Sequence, residues 1–65
     1  MNTALNKAFR LTGGQTGLAR LLGTSRQRVH NWAVRGSVPL GWIIEIQRVT
    51  NGKVTVADFI SAEEN

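Results

Sequence analysis

At 65 residues the chain makes one domain, 1–65, and a chain this short buries only about 60% of its unfolded surface, so the core is thin. It has no cysteine, which excludes a disulfide framework and thiolate metal sites, and no apolar run approaches the roughly 20 residues of a membrane span. The formal charge of +4 is uneven: Lys7, Arg10, Arg20, Arg26, Arg28 and Arg35 precede every acid, while Glu45, Asp58, Glu63 and Glu64 lie in the last third.

A basic front and a mildly acidic back suit a chain that turns one face to phosphates. A merely solvated basic surface is the alternative. The apolar fraction, 42%, is that of a globular protein, not a disordered one. The N-terminus lacks the apolar stretch and cleavage site of a signal peptide, so a cytoplasmic, nucleoid-associated protein is expected.

Residues 3–12 place Leu5, Ala8, Phe9 and Thr12 at helical spacing, with Lys7 and Arg10 off that stripe. Asn2 or Thr3 can cap the start, and Gly13-Gly14 ends the helix. The glycine pair is no phosphate loop, because no strand precedes it and no Lys-Ser/Thr pair follows.

The stretch from Gln15 to about Arg35 reads as a helix-turn-helix. A helix from about Gln15 to Leu22 takes its apolar side from Leu18, Ala19, Leu21 and Leu22. Ala19 is small enough for two helices to cross closely, and Gly23 supplies the positive φ of the turn. A second helix starts at Ser25 or Arg26 and turns Val29 and Trp32 inward. Its outward face holds Ser25, Arg26, Gln27, Arg28, His30, Asn31 and Arg35, with no acid.

Those side chains have the chemistry of base reading. Arg can grip guanine O6 and N7, and Gln or Asn can grip adenine N6 and N7, each contact giving about 1–3 kcal/mol of discrimination. Ser25, Arg26, Gln27, His30 and Asn31 are the expected base contacts. Gln15, Thr16, Arg28, Arg35 and Ser37 are the expected phosphate contacts. The competing reading of this segment is a helical hairpin with no ligand. His30 stands without a second metal-binding or catalytic partner, so no metal, cofactor or reaction is expected.

The run GGQTGLARLLGTSRQRVHNWAVRGSVP, from Gly13 to Pro39, resembles the phage Cro family, short prophage Cro-like repressors in particular, and the related YdaS-type antitoxins. The resemblance implies a small bacteriophage or prophage transcriptional repressor that binds a near-palindromic DNA operator as a homodimer. It also implies base contacts at Arg26, Gln27, His30 and Asn31, Ser25 at the helix start, and a phosphate contact at Gln15. After residue 50 the chain departs from the best-known Cro pattern, which there places a strand hairpin that builds the dimer.

Pro39 suits the first turn of a further helix reaching about Thr50, stopped by Asn51-Gly52. This helix carries too much apolar surface for one contact. Ile43 and Ile46 face one way, flanked by Trp42 and Val49, and Leu40 and Ile44 widen the arc. Glu45 can pair with Arg48. Either the chain's own tail covers the extra flank or a second copy does. The expected dimer surface is Leu40, Ile44 and Phe59.

The tail is ambiguous. Lys53 to Val56 alternates like a strand. Thr55 to Asp58 resembles a capping box with Asp in the usual Glu place, and Val54 and Phe59 occupy the positions of a hydrophobic staple, which favours a fifth helix that frays from Ala62. The expectation is therefore a compact all-α domain of five helices, with an α+β form carrying a strand at about 53–57 as the alternative. The expected function is sequence-specific duplex DNA binding that represses transcription, with a homodimer that is weak off DNA. The competing readings are an antitoxin that represses its own operon and a protein-interaction module that does not bind DNA.

Overall fold

The computed structural model describes the backbone of residues 3–64 and the side chains to residue 60. Five helices follow one another: α1 (Thr3–Thr12), α2 (Gly14–Leu22), α3 (Arg26–Arg35), α4 (Leu40–Val49) and α5 (Val56–Glu64). No strand occurs among the described residues, so the tail is helical and the strand alternative at 53–57 falls away. The backbone stays helical to Glu64, past Ala62 where fraying was expected, and Asn65 and the Asn2 cap lie outside the described residues.

Local chemistry explains each boundary. Gly13 and Gly14 both take φ of +88°, turning the chain between α1 and α2 as only glycine does without strain. α2 ends in a Schellman motif. Thr24 N–H donates to the Ala19 carbonyl (3.0 Å) and Gly23 N–H to that of Arg20 (3.2 Å), with Gly23 left-handed. α4 ends the same way, with Asn51 at φ +56° in the left-handed position and Gly52 N–H donating to the Gln47 carbonyl at 2.9 Å.

The capping box at α5 is complete. Thr55 N–H donates to Asp58 Oδ2 at 2.9 Å, and Asp58 N–H donates to Thr55 Oγ1 at 3.1 Å. The two staple residues, Val54 and Phe59, are buried in the core. Gln47 of α4 and Thr50, the residue that caps its C-terminus, also serve this corner. Thr50 is buried, and its hydroxyl donates to the Ile46 carbonyl (2.8 Å) and accepts from Val54 N–H (3.2 Å). Gln47 Oε1 accepts from Val56 N–H at 3.0 Å, satisfying one of the open amides at the start of α5.

The core runs through all five helices: Ala4, Leu5 and Ala8 from α1, Leu18 and Ala19 from α2, Val29 and Trp32 from α3, Ile43 and Ile46 from α4, and Phe59 from α5, with Val38 and Val54 from the loops. α5 packs on α1 and α4, and α2 packs on α1, α3 and α4. Three expectations change. Leu21, placed on the apolar side of α2, is about half exposed, whereas Leu18 and Ala19 are buried. Ala4, not on the expected stripe, is buried. Phe59, expected at a dimer surface, is only 1% exposed. Its helix packs on α1 and α4, and the side chain has no surface left for a second chain.

Candidate nucleic-acid interface

The helix-turn-helix has its expected internal face. Ala19, Val29 and Trp32 are buried, and Gly23 makes the turn with φ of +71°. α3 is thereby locked by one face, and everything opposite it is exposed: Ser25, Arg26, Gln27, Arg28, His30, Asn31, Val34 and Arg35. At the N-terminus, Ser25 Oγ accepts the Arg28 N–H at 3.1 Å. This fixes the first turn and leaves the Ser25 hydroxyl proton free to donate.

The exposed face divides along the helix. Arg26, Gln27 and His30 line a shallow recess of about 270 Å3 on one flank. Arg28, Asn31 and Arg35 form one wall of a larger groove of about 490 Å3, whose other wall is Ser37, Val38, Pro39 and Trp42 with Trp32 at the base. Gln27 Nε2 donates to Asn31 Oδ1 at 3.2 Å and bridges the two flanks along the crest of the helix. Four of the five expected base-contacting residues therefore cluster on the recess and crest. Three of the five expected phosphate-contacting residues, Arg28, Arg35 and Ser37, gather in the groove. Gln15 and Thr16 stand apart in the first turn of α2 and line neither feature.

Two residues of this surface lie outside the expected set. Val34 is 71% exposed on the crest, one turn beyond Asn31. Trp42 reaches across from α4. Its ring lies 5.6 Å from that of Trp32, tilted by 46°, and the Arg28 guanidinium carbon stands 5.6 Å from the Trp42 centroid. Helical spacing assigns Trp42 only to the flank of α4's core stripe. Its link to Arg28 crosses 14 positions of sequence and has no local signature.

The two acids with described side chains, Glu45 and Asp58, are engaged elsewhere. Glu45 accepts from Arg48 Nε at 2.8 Å, and this bond and the carboxylate charge raise the Arg48 pKa. The Thr55 backbone amide is the main cause holding Asp58 below the ordinary carboxylate range. Among the described residues no carboxylate lines either the recess or the groove.

A family model described as bacterial toxin YdaS matches residues 5–60, which is most of the chain and includes all of the helix-turn-helix. The protein belongs to the YdaS family. No curated protein and no solved structure matches it. The YdaS match places the chain in a small regulatory helix-turn-helix family without catalytic motifs, within the broader Cro-like group. The match reaches from Leu5 in α1 to Ile60 in α5, so it extends well beyond the recognition unit. Among the described residues no group of three or more His, Cys, Asp or Glu could hold a metal, and no helix is long and apolar enough to cross a membrane.

Proposed function

We propose that this YdaS-family chain is a sequence-specific duplex-DNA-binding regulator, acting as a repressor of the Cro type, with α3 in the major groove. The observation that carries this reading is the two-sidedness of α3. Val29 and Trp32 anchor one face, while the opposite face presents Arg26, Gln27, His30 and Asn31 without a single acid. These are the side chains that match base edges in the major groove. Arg28, Arg35 and Ser37 hold the flanking phosphates, and Gln15 and Thr16 meet backbone from the start of α2.

A dimer would set two copies of α3 about 34–36 Å apart, one helical turn of DNA. Leu40 and Ile44 support it. They are 61% and 54% exposed, so the described part of the chain's own tail does not cover them. Selection of bound duplexes from a random pool tests the reading. A near-palindromic consensus is expected, and a pool that never enriches at low salt would falsify it.

The family description favours a second reading, a role in a toxin–antitoxin operon. Controlled expression in a bacterial host separates its arms. Growth arrest that disappears when Arg26 and Arg28 are neutralised marks a toxin acting through DNA. Rescue of a co-encoded toxic partner marks an antitoxin that represses its own operon.

A further inference from the structure

We infer that Trp42 is a positioning residue for the DNA backbone: its ring holds the Arg28 guanidinium at the wall of the groove, pre-aimed at a phosphate. The inference rests on the DNA-binding reading and adds to it a residue that touches no base.

The guanidinium uses different parts for its two partners. Its flat face is attracted to an aromatic ring, within about 6 Å of the centroid. Its N–H edge donates to phosphate oxygens. The Arg28 guanidinium carbon stands over the Trp42 ring, 5.6 Å from its centroid, a contact that uses none of its N–H donors on an acceptor oxygen. Trp42 is in turn held by Trp32, which is 5% exposed and part of the core. A rigid chain therefore runs from the core through Trp32 and Trp42 to Arg28.

The surroundings fit an anion. Arg35, Asn31 and Ser37 supply further donors to the same groove, and among the described residues no carboxylate lines it to compete for Arg28. An arginine on an exposed helix normally loses much rotamer freedom when it grips a phosphate. Here the ring has already restricted it. Trp42 thus raises affinity for any duplex while leaving the choice of sequence to Arg26, Gln27, His30 and Asn31.

The test is a double-mutant cycle on duplex binding, read by fluorescence anisotropy across a salt series. Trp42→Leu should weaken binding about two- to fivefold, the ordering cost of about one rotamer-rich side chain that the ring no longer meets in advance. The loss should be equal for consensus and scrambled duplexes, and Trp42→Phe should restore most of it. Arg28→Ala should lower the salt slope by about 0.9, the loss of one phosphate contact. In the Arg28→Ala background, Trp42→Leu should have no further effect. A full Trp42→Leu penalty in that background, or none in the parent, overturns the inference. Arg28→Lys keeps the charge without the planar stack and reports even if Trp42→Leu fails to fold. Binding equal to the parent overturns the inference, and a two- to fivefold loss supports it. Absence of duplex binding by the parent chain at low salt would instead overturn the DNA reading itself.

Discussion

Gln27 and Asn31 are joined before any ligand arrives: Gln27 Nε2 donates to Asn31 Oδ1 at 3.2 Å, one helical turn apart. The bond uses one of two N–H groups on Gln27 and leaves its other N–H and its carbonyl oxygen for an adenine edge. Asn31 therefore steadies Gln27. Asn31→Ala is expected to relax base preference at the position read by Gln27 as well as at its own, with about 1–3 kcal/mol of discrimination at stake for each pair. Comparing the selected consensus of Asn31→Ala with that of Gln27→Ala checks this. Loss confined to one base position in each variant would show the two to be independent.

Arg35 closes the groove at the far end of α3, away from Arg26, Gln27 and His30. Arg35→Ala should weaken all duplexes alike and flatten the salt slope by about 0.9, with an unchanged consensus. A shifted consensus would place Arg35 at a base edge instead.

Phe59 and Ile44 are both apolar residues on amphipathic helices, and the fold gives them opposite consequences. Phe59→Ala should cost about 3–5 kcal/mol through cavity formation. That is comparable with the whole stability of a chain this size, about 3–10 kcal/mol at typical values per residue, so extensive unfolding is expected by circular dichroism. Ile44→Arg should leave the Tm nearly unchanged, since the side chain is more than half exposed. It should weaken self-association in sedimentation velocity. If Ile44→Arg associates like the parent, the α4 flank is not the dimer surface.

The Thr55–Asp58 capping box sets a pH dependence. The folded-state pKa of Asp58 is depressed, first of all by the Thr55 amide. Its contribution is thus fully present above the unfolded-state value, about 3.9, and is lost as pH falls through the lower folded-state value. The Tm of the parent should drop below about pH 4 more steeply than that of Asp58→Asn. Thr55→Ala should remove about 1 kcal/mol at neutral pH, a Tm loss of about 4–8 °C. Parallel acid profiles for the parent and Asp58→Asn would remove Asp58 from this account.

Gly17 and Gly41 both lie inside helices, yet alanine should act on them in opposite directions. A Cβ on Gly17 would fall 1.7 Å from the Thr12 carbonyl oxygen, because the end of α1 lies directly on α2. That clash outweighs the gain of up to about 1 kcal/mol in helix propensity. Gly17→Ala should lower the Tm, whereas Gly41→Ala, with nothing within 4 Å of its Cβ, should raise it by a few degrees.

Much of this was legible in order along the chain. The spacing of Ala19, Gly23, Val29 and Trp32 marks the helix-turn-helix, and the Thr55–Asp58 pair marks α5, because turns and caps are built from residues within four positions of one another. The acid-free outer face of α3 follows from the same periodicity. Periodicity identifies an apolar stripe but not what covers it, which is why Phe59 and Leu21 exchange roles. Phe59 meets α1 from the far end of the sequence, while Leu21, on a helix with the right spacing, stays about half exposed.

By itself, then, the sequence determined the number of helices, the caps at Ser25 and Thr55–Asp58 and the residue types that α3 turns outward, since all of these are short-range consequences of propensity and patterning. Only the tertiary structure decided that Gly17 lies against Thr12, that Phe59 is core while Leu40 and Ile44 stay open, and that Trp42 stands under Arg28. Each of these depends on how two helices distant in sequence cross, and crossing is governed by the packing of complete side-chain surfaces rather than by any local pattern.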